Sequence, residues 1–275
     1  MKLSEFYEIV NGVAPKKLSD EYCEKFDAYD NSGVLVDTSE EICGALFSLD
    51  FSLSAIEQAI ATGANLIVTH HPAIYGKISD VNVSEFSPLG KKLVKALRNG
   101  ISVISMHLNL DCVSGGIDES LMQGVCAAAG ENKGAGMRSM QIMHPVSEKN
   151  SCGYGRVYTV ETTTLGALAD NLKRVFATDR ILRYGDAEKK ICRVASFCGG
   201  GADEGAVEFA VKNGADVMIS SDFKHHVLTL AKETGIAVLS LTHYAAENYG
   251  FEKFYQKIRE RVAIPCTYHT ERDLL

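Results

Sequence analysis

The stretch "AIEQAIATGANLIVTHHP" (55–72) returns 151 residues later as "AVEFAVKNGADVMISSDF" (206–223). Both copies place apolar residues at helical spacing, then a glycine, then a run of strand-forming residues. A glycine after a helical pattern is typical of a helix C-terminus, so each copy predicts a helix followed by a buried strand. The repeat therefore indicates that the chain contains an internal duplication.

A second pair of stretches extends the duplication: "NGISVISMHLNLD" (99–111) and "TGIAVLSLTHYAAE" (234–247) both lead from a glycine into an apolar strand. Alternating helices and strands predict an α/β fold with two similar halves, each a parallel or mixed sheet flanked by helices, and with the metal site argued below between them. The glycine-rich stretch 127–140 is loop-like, so we place the boundary there and expect domains 1–130 and 131–275. Further along, residues 153–176 predict a strand, a turn and a helix, and the last helix should run from about Ala245 to about Arg261.

The composition is that of an ordinary globular protein, and its charge narrows the range of partners. The net charge of −7 argues against a general affinity for nucleic acid or for membrane surfaces. No stretch reaches the roughly 18 apolar residues that span a bilayer, and the polar start "MKLSEFYEIV" does not resemble a secretory signal. The eight cysteines form no C-x-x-C pair and are expected to be reduced. We therefore expect a cytoplasmic protein.

Ionisable side chains cluster where the predicted strands end. The strand at 66–69 leads into His70 and His71, the strand at 101–106 leads to the pair His107 and Asp111, and the strand at 236–241 leads to the pair His243 and Glu247. Each pair has i, i+4 spacing, which would place both groups on one face of a helix, whereas a loop would bring them together less surely. Ligands of open α/β sheets bind beyond the carboxyl ends of the strands, so these residues mark a candidate site.

Imidazole and carboxylate groups are the ligands expected for Zn, Mn or Fe(II). Together, these imidazoles and carboxylates exceed the needs of one tetrahedral ion and suit two ions about 3.5–4 Å apart. The alternative is that strand-end histidines serve as capping or hydrogen-bonding residues, and that one His–carboxylate pair is a surface ion pair. Because three predicted strand ends all offer ligands, we favour a metal site.

Five segments of the chain together resemble the Nif-three-like dinuclear-metal family, some members of which are called type-two GTP cyclohydrolase I. In chain order they are "YDNSGVLVD" (29–37), "VTHHPAIYG" (68–76), "MHLNLDCVSGGIDESL" (106–121), "FCGGGADEGAVEFAVKNGADVMISSDFKHH" (197–226) and "THYAAENYG" (242–250). The chain is similar to the short form of the family, which lacks a middle insert domain. The resemblance implies two similar α/β halves and assembly as a homohexamer.

The resemblance also implies roles for individual residues. His71 and Asp111 would bind one divalent ion, His70 and His243 the other, and Glu247 would bridge the two. His107 lies outside this ligand set, either as a catalytic proton donor or as a group that hydrogen-bonds a ligand. Asp222 matches a further motif position, which implies that it either supports a metal ligand or faces the substrate. His226 could bind phosphate oxygens of a substrate, and the alternative is a solvated helix start capped by Asp222.

These assignments lead to a function. Two divalent ions that share a water favour hydrolysis, and the resemblance names opening of the GTP imidazole ring as the candidate reaction. Hydrolysis of another nucleotide or phosphoester is the broader interpretation. The glycine loop "CGGGADEG" (198–205) could hold a phosphate on its backbone N–H groups, but the negative charges of Asp203 and Glu204 disfavour an anion there, and we favour a simple tight turn. The alternative from another class is a non-catalytic metal-binding or adaptor protein.

Overall fold

Helices and strands alternate along the chain, as the repeats predict. The computed structural model describes residues 1–38, 41–78, 80–84, 87–130, 140–147 and 151–275. Its helices are α1 (Leu3–Val13), α2 (Lys16–Phe26), α3 (Leu53–Thr62), α4 (Pro88–Arg98), α5 (Leu108–Cys112), α6 (Ile117–Ala128), α7 (Leu165–Val175), α8 (Glu204–Lys212), α9 (His225–Glu233) and α10 (His243–Arg259). Its strands are β1 (Gly33–Val36), β2 (Ala45–Ser48), β3 (Leu66–Thr69), β4 (Ser102–Ser105), β5 (Gln141–Pro145), β6 (Gly153–Thr164), β7 (Leu182–Tyr184), β8 (Lys190–Ser196), β9 (Val217–Ser220), β10 (Ala237–Ser240) and β11 (Cys266–Tyr268).

The first unit comprises Met1–Leu110 together with Phe251–Thr270. Its five-stranded sheet has the order β1-β4-β3-β2-β11, in which β11, β2, β3 and β4 are parallel and the edge strand β1 is antiparallel to β4. Strands β2, β3 and β4 are buried along their whole length, as expected for parallel strands covered on both faces. Their last residues lie side by side, so they end at one edge of the sheet.

The second unit comprises Asp111–Gly250 together with Glu271–Leu275. Its six-stranded sheet has the order β5-β6-β8-β9-β10-β7. The central strands β8, β9 and β10 are parallel, whereas β7 is antiparallel to β10 and β6 is antiparallel to β8. The order β7-β10-β9-β8 repeats the order β1-β4-β3-β2 of the first unit, including its antiparallel edge strand. The internal duplication predicted from the sequence is therefore present in the fold.

The same local devices build the repeated helix in both units. Ser52 caps the N-terminus of α3, and its side chain accepts a hydrogen bond from Ala55 N at 3.0 Å. Asp203 caps α8 in the same way and accepts from the matching amide, Ala206 N, at 2.8 Å. After the helices, Gly63 and Gly214 have φ of +71° and +66°. This left-handed conformation is easily adopted only by glycine and lets the chain turn sharply into the buried strand.

Three details differ from the sequence expectation or lie beyond its reach. Helix α10 starts at His243 rather than near Ala245, so His243 lies on the helix itself. Strand β6 passes directly into α7 without a turn, because Thr164 ends the strand and also caps the helix by accepting from Ala167 N at 3.2 Å. The predicted boundary falls largely on residues 131–139, which lie outside the described residues. The division into domains 1–130 and 131–275 stays a prediction.

The length and polarity of the helices show whether any of them could span a membrane. Within the described part of the chain, every helix is either too short or too polar to cross a bilayer.

Candidate metal centre

Three histidines meet at the carboxyl edge of the first unit's sheet. His70 and His71 directly follow β3, and His107 follows β4. One ligand atom from each of the three side chains lies within 4.8 Å of the others, and the ring centroids are 4.9–5.9 Å apart. His70 is fully buried, whereas the other two histidines are partly exposed. The strand register therefore brings together the first three histidines that the sequence predicted.

Each of these three rings is held by its Nδ1 atom. The Nδ1–H of His70 donates to the Met106 carbonyl at 2.9 Å, and a carbonyl oxygen can only accept. His71 Nδ1 lies 2.8 Å from the Asp50 carboxylate, and His107 Nδ1 lies 2.8 Å from the Asp30 carboxylate. Such partners keep the proton on Nδ1 and leave the lone pair on Nε2. This is the arrangement by which proteins orient metal-binding histidines.

A chain of hydroxyl groups fixes the turn that carries the adjacent histidines. The Ser105 hydroxyl accepts from Ala73 N at 3.0 Å and lies 2.7 Å from the Thr69 hydroxyl, which donates to the His71 carbonyl at 2.8 Å. Both hydroxyl side chains are fully buried. The hydroxyl groups at the two strand ends thus form hydrogen bonds with each other and with the backbone, and they hold the His70–His71 turn in one conformation.

Asp30 is a buried carboxylate with three donors. It accepts from Ser19 Oγ at 2.5 Å, from Ser32 Oγ at 2.6 Å and from His107 Nδ1. Burial alone would raise the pKa of Asp30, but the hydrogen bonds and the charge of His107 outweigh it and lower the pKa well below its usual value. Asp30 is therefore ionised at neutral pH, and its carboxylate stabilises the Nδ1–H form of His107.

In the second unit, His243 and Glu247 lie one helical turn apart at the start of α10. His243 Nε2 is 3.0 Å from Glu247 Oε2, and His243 Nδ1 is 2.5 Å from the Asp222 carboxylate. Because the Nδ1–H of His243 donates to Asp222, the lone pair on its Nε2 faces the nearly buried carboxylate of Glu247. Two electron-rich atoms at this distance require a proton or a cation to hold them together, and atoms bonded to one zinc ion at about 2.0–2.2 Å lie roughly this far apart.

The glycine loop after β8 packs directly against this helix start. Gly199 has φ of +55°, and a Cβ there would collide with Glu247 Oε1 and approach the ring of His243 to 3.4 Å. The Ser221 hydroxyl donates to the Gly199 carbonyl at 2.7 Å and so holds the loop in place. A glycine at this position is therefore required for the loop to approach the two predicted ligands.

Asp111 lies in a buried setting beside this loop. The Cys198 thiol donates to Asp111 Oδ1 at 3.4 Å. Burial, and secondarily the negative charge of Asp111, raises the pKa of the Cys198 thiol well above its usual value. The thiol thus stays protonated and serves as a hydrogen-bond donor to a predicted metal ligand.

The buried ion pair of Asp118 and Arg156 holds the glycine loop after β8. Asp118 accepts from Cys198 N at 3.1 Å and from Gly155 N at 3.0 Å, and it also binds the guanidinium of Arg156. Both charged side chains are fully buried. Burial lowers the pKa of Arg156 to about 10, so the guanidinium still carries its charge at neutral pH.

The two predicted substrate-binding residues take different positions. Asp222 orients His243, and helix α9 is capped by Lys224 instead, without a side-chain bond. His226 Nε2 pairs with Glu204 at 2.9 Å, and both side chains are exposed. The substrate role of either residue stays a prediction.

Sequence reasoning missed the residues that support the histidines. Asp30 and Asp50 are the main ones, and each contacts a histidine far away in sequence. Asp50 had a usable signal, since it follows β2, which ends at the same sheet edge as the strands that carry the histidines.

The chain matches known proteins over nearly its whole length. Residues 1–271 match the family described as Duf34/NIF3 (NGG1p interacting factor 3). A protein of Clostridium perfringens named "GTP cyclohydrolase 1 type 2 homolog" is 32% identical over 266 residues, which cover 95% of this chain and 93% of that protein. A Clostridium acetobutylicum protein of the same name is 31% identical and covers 90% and 85% of the two chains.

Solved structures share the fold. The Staphylococcus aureus hypothetical protein SA1388 superposes with a TM-score of 0.80 at 22% identity, covering 98% of this chain and 96% of that chain. HcgD of Methanocaldococcus jannaschii, in its reduced form, superposes with a TM-score of 0.77 at 25% identity, covering 98% and 97%. Together with the match over residues 1–271, these similarities establish that the chain belongs to the Duf34/NIF3 family.

Proposed function

We propose that this protein is a metal-dependent hydrolase with two divalent cations, and that its ligands are His70, His71, Asp111, His243 and Glu247. The observation that carries the proposal is the common setting of the histidines. In both units, every histidine of the predicted site has its Nδ1 bonded to a carbonyl or a carboxylate. A purely structural histidine needs no such repeated arrangement, whereas a metal-binding histidine does.

The donor atoms fit the proposed cations. Imidazole nitrogens and carboxylate oxygens suit Zn, Fe(II) or Mn, and the two carboxylates, Asp111 and Glu247, are nearly buried. A buried carboxylate is costly unless a cation or hydrogen bonds compensate its charge. The negative charges of these two nearly buried carboxylates therefore support binding of divalent ions.

The chain's own residues would divide the chemistry between them. Bound divalent ions lower the pKa of water and supply hydroxide for hydrolysis. His107 is partly exposed and its Nδ1–H is held by the ionised Asp30, so its Nε2 is free to take a proton from the attacking water and pass it to the leaving group. Asp222 would hold His243 in its binding orientation while its second oxygen faces the substrate, and His226 would contact a more distant part of the substrate.

Among hydrolytic reactions, we propose opening of the imidazole ring of GTP. The support is the name shared by the curated relatives from both Clostridium species, "GTP cyclohydrolase 1 type 2 homolog". One water adds at the purine C8 and opens the ring to a formamide, and a second water hydrolyses that formamide and releases the carbon as formate; each addition demands an activated water and a proton donor. His107 supplies the donor in this proposal.

The first experiment measures metal content and GTP turnover on the same sample. Protein purified without oxygen is analysed for bound metals by mass spectrometry, and GTP turnover is then followed by formate release and by loss of purine absorbance. The proposal expects about two ions per chain and formate in proportion to GTP consumed. Two ions without GTP turnover would remove GTP as the substrate and favour another phosphoester or the metal-binding alternative.

Matched variants test the ligand set. His71→Ala and Glu247→Ala should lose metal while keeping the far-UV circular dichroism of the parent. His269→Ala is the control, because His269 also has its Nδ1 bonded, but to the neutral amide of Gln58. Full metal occupancy in the first two variants, or equal loss in the control, would contradict the assignment.

We also propose, from the family resemblance, that the chain assembles as a homohexamer. Light scattering coupled to gel filtration measures the mass directly. A mass of six chains supports the proposal, and a monomer or dimer refutes it.

A further inference from the structure

Two exposed tyrosines pack against each other in the first unit. The rings of Tyr29 and Tyr75 lie edge to face, with centroids 5.3 Å apart and an angle of 86° between the ring planes. Tyr29 is 52% exposed and Tyr75 is 64% exposed. Water therefore reaches much of both rings, although aromatic side chains usually bury most of their surface. An exposed aromatic surface of this kind marks a binding site when it lies beside functional groups.

The chain places both tyrosines at the histidine cluster. Tyr29 directly precedes Asp30, and the carboxylate of Asp30 is hydrogen-bonded to His107. Tyr75 follows His71 by four residues and lies two residues after Ala73, whose backbone N–H donates to the buried Ser105 hydroxyl. The aromatic pair thus borders the group of histidines rather than a remote surface.

The two loops that carry the rings are fixed to each other before any ligand binds. Asn31 Nδ2 donates to the Ile74 carbonyl at 2.7 Å and so joins the residues next to the two tyrosines. Asp30 anchors the same loop through Ser19 and Ser32. A rigid aromatic surface binds a flat partner with little loss of conformational entropy, because each tyrosine has only two side-chain torsions to restrict.

We propose that Tyr29 and Tyr75 form the stacking surface for a planar heteroaromatic ring of the substrate. The edge-to-face contact leaves ring surface exposed on both residues, and an aromatic ring stacks on such a surface without regard to its hydrogen-bonding pattern. The inference names the substrate class of the proposed metal site and rests on the proposed function for the role of the histidines. The binding of the ring itself is independent of the metal ions.

The chemistry of the pair favours the base over the other parts of a nucleotide. Tyrosine offers a phosphate group only its hydroxyl and no positive charge, and a sugar has no π-surface, so it can meet the rings only through its C–H groups. A second protein chain could also cover the two rings. Such coverage would change the mass of the assembly, which makes it a distinguishable outcome.

The test uses 2-aminopurine riboside, a fluorescent nucleoside whose emission is quenched when its base stacks. The chain contains 11 tyrosines and no tryptophan, so its own emission does not interfere at the longer excitation wavelength of the probe. Quenching is titrated for the full-length protein, for Tyr29→Ala, for Tyr75→Ala and for the double variant. Tyr29→Phe with Tyr75→Phe keeps the rings, and Tyr184→Ala removes a tyrosine that is 43% exposed in the second unit.

The proposal expects quenched binding by the parent, about tenfold weaker binding for each tyrosine replaced by alanine, and parental binding in the phenylalanine and Tyr184→Ala proteins. Guanosine should compete with the probe, and ribose 5-phosphate should not. Three results would overturn it: no quenching by the parent, parental quenching in the double alanine variant, or a change confined to the mass of the assembly.

GTP turnover separates this inference from the proposed function. If GTP is consumed and its KM is the same in the double alanine variant, the stacking surface is wrong and the hydrolase stands. If GTP is not consumed but the probe binds through both tyrosines, the cyclohydrolase proposal fails and the stacking surface serves another heteroaromatic compound.

Discussion

The two units use one strand order but place different chemistry at the strand ends. In the first unit, β3 leads into His70 and His71, and two aspartates hold the rings of His71 and His107. At the positions 151 residues later, β9 leads into Ser221 and Asp222, and there the aspartate holds a histidine of α10. The difference teaches that a duplicated fold preserves where polar residues sit, whereas each copy is free to change what those residues do.

The polar interiors of the units differ in a similar way. Next to its site, the first unit buries a pair of neutral hydroxyls, Thr69 and Ser105, whereas the second buries the charged pair Arg156 and Asp118. A neutral pair that loses one partner leaves a modest penalty, but a buried charge that loses its counter-ion leaves a large one. Of these two pairs, the one in the second unit should therefore be much more sensitive to a single polar substitution.

The largest predicted effect sharpens that contrast. Asp118→Ala should destabilise the protein by about 3–5 kcal/mol, because it leaves Arg156 charged and buried and removes the acceptor of two backbone amides. Thr69→Val, the matched substitution in the first unit, should cost about 1 kcal/mol. Urea unfolding of metal-free protein measures both values.

A double variant controls for general disruption. Asp118→Leu combined with Arg156→Met removes both charges and should recover the part of the lost stability that comes from the unpaired charge, whereas the two backbone amides still lack their acceptor. Equal losses in Asp118→Ala and Thr69→Val would show that the buried charge does not distinguish the units.

The next effect depends on pH and concerns Asp30. At neutral pH, Asp30→Asn should cost about 2 kcal/mol of stability, since a side chain that accepts several hydrogen bonds loses its charge. The folded pKa of Asp30 lies below its usual value of 3.8, so its contribution is complete above that pH. The contribution disappears as the pH falls from 3.8 through the lower folded pKa.

Urea titrations of metal-free parent and variant between neutral pH and acid test this dependence. The difference in unfolding free energy should be constant near neutrality and should shrink below about pH 4. Asp37→Asn is a matched surface control. A difference that grew on acidification would mean that Asp30 is not stabilised as an anion.

A third prediction compares the aspartates that orient histidines. Asp50→Asn in the first unit and Asp222→Asn in the second should each lower metal affinity by about 10–100-fold, because each weakens the hold on one imidazole while leaving its Nε2 in place. Chelator competition measures the affinities, and Asp216→Asn serves as a control on a strand-start aspartate remote from the histidines. A loss of metal affinity in only one of the two variants would show that Asp50 and Asp222 do not support metal binding equally.

The sequence reaches some of these features and not others, for a physical reason. The spacing of His243 and Glu247 predicts a helical pair, because both residues belong to one local element, and the observed helix confirms it. The support of His107 by Asp30 spans 77 residues, and that of Cys198 by Asp118 spans 80. Such contacts depend on how strands and loops meet in three dimensions, which the spacing of residues along the chain does not encode.

The smallest predicted effect tests whether the duplication extends to energetics. Ser52→Ala and Asp203→Ala remove the N-caps of the repeated helices α3 and α8, and each should cost about 1 kcal/mol in urea unfolding. Because Asp203 also places a negative charge at the positive end of its helix, its loss should be slightly larger and should diminish with added salt, whereas the loss at Ser52 should not. Equal salt dependence at both caps would show that the hydrogen bond alone stabilises the two helices, and that the charge introduced in the second copy has no energetic consequence.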